Sequence, residues 1–305
     1  MDRELFVGYY SIYEDIIKRI GQVKYEYMEN NCYYAQYIEQ CMNGDISESQ
    51  KIYWKELLLR THFTVVASLI RSKKWIYGVI IGMEANNLMI FSSSLRGYLE
   101  SVVDTYYSLQ SIPTAFSLNY KNIKAALDGK LNQLFVSDEI ESKLIHFQYA
   151  LKDKKQPKNK QALTNTDYIK NFDLEEKGIK KLYSELCEVT HPASKSVNCF
   201  SKEIVVSETH SYSIIDEKCD EDYIEKILET YTEQIKQLMK IDISLNGLIL
   251  KVINLFEYEE VYTKDIDESI FANLINDKRW NEILEMVEKG EEYLTEHGLE
   301  KVVLC

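Results

Sequence analysis

Prolines are nearly absent from this sequence. There are 3 in 305 residues, with only 11 glycines. An all-β fold needs many tight turns, and so few breakers leave little room for them. Paired cysteine motifs are missing too. Six cysteines (Cys32, Cys41, Cys187, Cys199, Cys219 and Cys305) are scattered with no CxxC spacing, so free thiols in a reducing cytoplasm are expected rather than a disulfide or zinc framework. The opening residues, MDRELFVGYY, lack the charged-then-apolar pattern of a signal peptide. No apolar run is long and clean enough for a membrane span. The most apolar window, Trp75–Leu95, is interrupted by Glu84, Asn86 and Asn87 and reads as a buried core helix. Nor is there a phosphate-cradling glycine loop, an HExxH, a zinc-spaced Cys/His set or a GxSxG. No metal and no cofactor is implied.

What is present suits a packed globular protein. Hydrophobic residues make up 45% and charged residues 28%, enough to bury an ordinary core. The 23 tyrosines fit half-buried helix positions, with rings packed and hydroxyls reaching polar partners. The net charge is −13, and residues 257–301 hold 14 acids against 5 bases. An acidic surface repels phosphate backbones, which disfavours broad nucleic-acid binding.

Apolar periodicity predicts an all-α protein, a bundle of long helices with one short β-hairpin. Ile224, Leu228, Tyr231, Ile235, Leu238, Leu245, Ile249, Val252 and Phe256 step by fours and threes, drawing one stripe along a helix of roughly 50 Å. Asp242 fills one slot of that stripe. Leu5, Tyr9, Ile12, Ile16, Ile20, Val23 and Tyr27 predict a long N-terminal helix running to Met42 and stopping at Asn43-Gly44. Ser47 with Gln50 resembles a capping box for a helix to about Ile70. A further helix through Leu88–Leu109 is expected to close at Pro113. Two shorter helices are expected over 114–150, then a solvated lysine loop at 152–161, then a helix over Asp173–Thr190 ended by His191-Pro192. Residues 203–215 suggest the hairpin. The expected division is a bundle over 1–256 and an acidic appendage over 257–305, with helices near 266–276 and 279–296.

Four residues stand out as candidates for chemistry. Arg96 and Glu100 lie one helical turn apart at the margin of an apolar stripe. They form an intrahelical pair or line a cleft where the guanidinium holds an anion. His191 ends a helix before Pro192. It is a helix terminator or a general acid/base with Glu185 or Glu188 as its orienting carboxylate. Cys187, on the same side of that helix, makes a Cys–His dyad geometrically possible. Asp242 is a carboxylate in an apolar seam and needs a partner. Arg96 and His191 are the attractive ones; a bend near Asp242 that exposes it is the alternative. A cleft near Arg96, His191, Asp242 and Glu188 is the expected binding site.

The segments RGYLE (Arg96 to Glu100) and YSELCEVTHPAS (Tyr183 to Ser194) resemble the HEPN-like superfamily of bacterial helical proteins, many of them linked to phage defence and abortive infection. The resemblance covers roughly residues 50–255. It implies a helical bundle that dimerises and, in many members, a metal-independent RNase with an Arg-x4-6-His motif on one helix. His191 matches that His, but Ser184, Glu185 and Leu186 stand where the Arg belongs, so Arg96 would have to supply it from another helix. Two functions follow as expectations. One is a non-catalytic interaction or sensor protein, a homodimer with a protein partner. The other is an RNase effector in which Arg96, His191 and Glu100 are catalytic.

Overall fold

The computed structural model describes residues 3–21, 23–25, 30–175, 177–264, 266, 277–290 and 292. The protein is all-α with one antiparallel β-hairpin. Its helices are α1 (Arg3–Ile20), α2 (Asn30–Met42), α3 (Ile46–Glu84), α4 (Leu88–Leu109), α5 (Ile112–Leu118), α6 (Tyr120–Leu127), α7 (Asp138–Tyr149), α8 (Asn165–Glu175), α9 (Ile179–Thr190), α10 (Ser194–Asn198), α11 (Cys219–Asn254) and α12 (Asp277–Lys289). The strands are β1 (Ser201–Ser207) and β2 (His210–Ile215). Among the described residues no helix is long and apolar enough to cross a membrane. Contacts divide the chain into two compact units. Unit 1 is Met1–Glu14, Ile70–Tyr107 and Thr164–Asp242; unit 2 is Asp15–Leu69, Ser108–Leu163 and Ile243–Cys305.

Unit 1 carries the candidate site. The apolar stripe of α4 buries Phe91, Leu95, Tyr98, Leu99 and Val102. Gly82 of α3 lets α4 approach closely: a Cβ there would meet the Phe91 backbone nitrogen at 2.5 Å. The turn between the two helices places Asn86 at φ 46, a conformation asparagine tolerates. The Asn87 side chain then accepts from the Ile90 N–H at 2.9 Å, and Asp220 at the start of α11 accepts from the Leu88 N–H at 3.0 Å. These two bonds satisfy amides that every helix N-terminus leaves open. The buried face of α9 is Ile179, Leu182, Leu186 and Val189, and it ends at His191.

Unit 2 is centred on Trp54 of α3, which is fully buried. Its indole N–H donates to the Phe135 carbonyl at 2.9 Å, and its ring stacks on Phe135 at 5.2 Å. Burying a side chain of this size is worth about 3 kcal/mol. Around the end of α11, Phe256 meets Phe116 edge-on at 5.9 Å, and the Tyr120 hydroxyl donates to the Leu255 carbonyl at 3.0 Å. The 257–305 segment, expected as an appendage, is described only in part. There α12 packs on α5, Lys121 donates to the Glu288 carbonyl at 2.7 Å, and Lys251 lies 4.2 Å from the Trp280 ring centre. The helix expected near 266–276 lies outside the described residues, Ile266 excepted.

Several expected boundaries change. The N-terminal helix does not run to Met42: α1 ends at Ile20, Gly21 takes φ +67, and Tyr27 lies outside the described residues. The α3 cap is Asp45, which accepts from the Glu48 N–H at 3.0 Å, not a Ser47–Gln50 box. Ser47 instead donates to the Gly129 carbonyl, and Gln50 accepts from the Phe135 N–H. With no breaker at Ile70, α3 continues to Glu84. Trp75–Leu95 is therefore not one buried helix but the end of α3, a turn and the start of α4, with Trp75 38% and Tyr77 53% exposed. Pro113 does not close α4. It sits in the first turn of α5, where its missing N–H costs nothing. The two shorter helices expected over 114–150 are α6 and α7, preceded there by the end of α5. Asp173–Thr190 is broken at Gly178, φ +97, and Asp173 accepts from the Gly178 and Lys180 N–H groups at 3.1 and 2.9 Å. The long helix α11 bends at Tyr231 (φ −119, ψ 20), not at Asp242. The Thr232 hydroxyl, donating to the Leu228 carbonyl at 2.5 Å, competes there with the helical ladder.

Candidate functional site

The site is the meeting of α4 with the C-terminal end of α9, within unit 1. Arg96 and Glu100 share one face of α4. The Arg96 Nε donates to Glu100 Oε1 at 2.9 Å. Its Nη1 donates to the Thr190 hydroxyl oxygen and to His191 Nε2, each at 2.9 Å. Thr190 is held ready as an acceptor because its own proton goes to the Leu186 carbonyl at 2.8 Å. From the same side of α9, the Tyr183 hydroxyl donates to Glu100 Oε1 at 3.2 Å. Arg96, Glu100 and His191 are therefore brought together, with Thr190 and Tyr183 completing the set.

The electrostatics follow from these contacts. Partial burial by itself would lower the Arg96 pKa. The hydrogen bond and charge of Glu100 outweigh it and hold the guanidinium above its ordinary value. Tyr183 is pushed up, first by burial and then by its bond to Cys187 and the charge of Glu100. A guanidinium can only donate, so the His191 nitrogen facing it must accept. In this arrangement the imidazole is neutral, with its proton on Nδ1. His191 is exposed and closes α9 with its backbone N–H on the Cys187 carbonyl at 2.9 Å.

Two expected members of the cleft are elsewhere. Asp242 is buried, 1% exposed, and accepts from the Tyr13 hydroxyl at 2.6 Å rather than meeting Arg96 or His191. Glu188 does not orient His191. It pairs with Lys195 at 2.9 Å, and the same ammonium holds Glu185 at 2.6 Å. Burial alone would lower the Lys195 pKa, but Glu185 and Glu188 raise it well above the ordinary lysine range. Glu185 also accepts from the Tyr223 hydroxyl at 3.3 Å. The Cys187 side chain faces Tyr183, and among the described residues it makes no bond to the His191 imidazole. Thr190, Tyr183 and Lys195 were missed from sequence. The signal available for the first two was their place at 183 and 190, on one helical face turned toward Arg96.

Beside His191 runs an open groove lined by Met89, Val189, Pro192, Ala193 and Val197. Its walls are mainly apolar, and Val197 is 69% exposed. Chemically, the arrangement offers an imidazole edge, a charge-balanced guanidinium and an apolar trough. Among the described residues no three His, Cys, Asp or Glu side chains gather as a metal site would require. Comparison with protein-family models, with curated proteins and with solved structures finds no match for this chain.

Proposed function

We propose that this chain is a non-catalytic interaction or sensor protein of HEPN-like type, working in a bacterial defence or toxin-type system, whose groove at the end of α9 takes an apolar segment of a partner protein. The carrying observation is the engagement of Arg96. Its Nε and Nη1 are spent on Glu100, Thr190 and His191, and the adjoining groove is mainly apolar, with Ser194 and Ser196 among its lining residues. A phosphodiester entering here would find the cation already balanced by a carboxylate, whereas an apolar peptide would find a matching wall. The homodimer belongs to the same proposal and places a second copy among the possible partners.

A second reading is a metal-independent RNase. What favours it is the 2.9 Å contact between Arg96 and His191, a phosphate-binding group and an acid/base group joined from separate helices. Arg96 would hold the scissile phosphate, His191 would move the 2′-hydroxyl proton, and Glu100 would fix the guanidinium.

One experiment separates the two. A labelled RNA is incubated with the wild type, Arg96→Ala and His191→Ala in the presence of a chelator. Sedimentation of the wild type and of Val197→Glu reads assembly in parallel. The interaction reading expects intact RNA throughout and assembly that Val197→Glu weakens at least tenfold. RNA cleavage that both site variants abolish overturns it in favour of the RNase.

A further inference from the structure

Unit 2 contains a polar recess of its own, lined by other residues than the groove beside His191. It is bounded by Tyr33 of α2, Glu56 and Arg60 of α3, Glu141 and Tyr149 of α7, and Lys160. Glu56 and Arg60 are an ion pair with both side chains almost fully buried. Arg60 also donates to Gln148 at 2.7 Å and lies 5.8 Å from the Tyr149 ring centre. That pair is therefore internally satisfied, as a buried pair must be, and adds no net charge to the recess.

The two remaining charges are different. Glu141 is half-buried, and its one bond is a long contact, 3.5 Å, from the Tyr53 hydroxyl. Burial pushes its carboxyl up, and the charge of Arg60 only partly counters this. Lys160 lies 5.8 Å from the Tyr149 ring centre, and among the described residues it forms no ion pair. Both line the same recess without pairing with each other. A carboxylate and an ammonium therefore line one gap walled by tyrosine rings, with no ion pair between them.

We infer that this recess binds a small zwitterion, a free α-amino acid, with its ammonium on Glu141 and its carboxylate on Lys160. The free space is about 80 Å³, several times what one water needs. It matches a ligand of roughly five to eight non-hydrogen atoms, the range of glycine, alanine and serine. Neither half of such a molecule satisfies the recess alone. An amine leaves Lys160 without its anion, and a carboxylate leaves Glu141 without its cation.

The test is calorimetric titration of the full chain with glycine, L-alanine and L-serine, alongside methylammonium and acetate as half-ligands. At least one amino acid is expected to saturate a single site and to bind at least tenfold more tightly than either half-ligand. Glu141→Gln and Lys160→Gln should each weaken it tenfold or more while leaving the far-UV circular dichroism unchanged, since neither side chain is in an ion pair. A ligand-observed saturation-transfer NMR signal reports binding that gives too little heat. If no amino acid binds by either method, the inference is overturned. It is equally overturned if methylammonium binds as tightly as the amino acids, or if both variants bind as the wild type does.

Discussion

The Tyr13 hydroxyl donates to Asp242 Oδ2 at 2.6 Å and stands 3.0 Å from the Tyr98 hydroxyl. This joins α1, α4 and α11 inside unit 1. Burial pushes both phenols far above their ordinary range, and the Asp242 charge pushes them further, so they remain neutral donors. Removing a donor from a buried carboxylate leaves much of its desolvation uncompensated. Tyr13→Phe is therefore expected to lower stability by about 2 kcal/mol in urea unfolding. A double-mutant cycle with Asp242→Leu, which removes the acceptor, should show a coupling of about 1 kcal/mol. Strict additivity of the two substitutions would mean that the bond does not form.

Arg96 sets the tautomer of His191. With its Nη1 donating to Nε2, the ring proton belongs on Nδ1. Nitrogen-15 NMR of the wild type at neutral pH should show the Nδ1–H form at His191, and Arg96→Ala should shift it toward Nε2–H. Stability should change little, by about 1 kcal/mol, because both members of the Arg96–Glu100 pair are partly exposed and solvent screens them. An unchanged His191 spectrum in Arg96→Ala would show that the contact is not made in solution.

The helical class was legible because the apolar stripes of α4 and α11 repeat at helical spacing, and that pattern survives whatever packs on it. The breaks were less legible. Gly21 follows the end of α1 and Gly178 caps the start of α9, both at positive φ, but a lone glycine inside a periodic segment does not announce its backbone angle. The bend of α11 at Tyr231, next to a Thr232 hydroxyl that donates to the Leu228 carbonyl, is not revealed by composition. At the site, the Arg96–Glu100 pair could be read from helical spacing, and His191 from its place before Pro192. The partner of Asp242 could not. Tyr13 is 229 positions away, and among 23 tyrosines nothing local marks that one. The Lys195 bridge to Glu185 and Glu188 likewise depends on the chain turning after Pro192.

His62 gives unit 2 a pH-dependent stability. It is buried, 1% exposed, with Nδ1 2.9 Å from the Tyr25 hydroxyl. Burial lowers its pKa from 6.5 to about 4. The folded state therefore holds the neutral ring while the unfolded chain takes up a proton below pH 6.5. Stability is full above that pH and falls as the pH drops toward 4. Between pH 7 and pH 5 the wild type should lose about 2 kcal/mol more than His62→Gln, in which this site cannot titrate. Urea unfolding at the two pH values reads the difference, and parallel losses in the two proteins would exclude His62 as the cause.

Three glycines should rank in the order of what a new methyl group meets. At Gly8, exposed on α1, an added Cβ finds nothing within 4 Å. Gly8→Ala should therefore stabilise by about 0.5–1 kcal/mol through the lower entropy of the unfolded chain. At Gly97 the Cβ would lie 2.7 Å from the Trp75 ring, and Trp75 is partly exposed and free to tilt away. Gly97→Ala should cost about 1 kcal/mol. At Gly82 the obstacle is the backbone of α4, with the Phe91 nitrogen at 2.5 Å and its Cα at 2.6 Å. No rotamer relieves that clash, so α3 and α4 must separate, at a cost of about 3 kcal/mol or more. Urea midpoints should fall in the order Gly8→Ala, wild type, Gly97→Ala, Gly82→Ala. A Gly82→Ala protein as stable as the wild type would mean that α3 and α4 do not approach this closely.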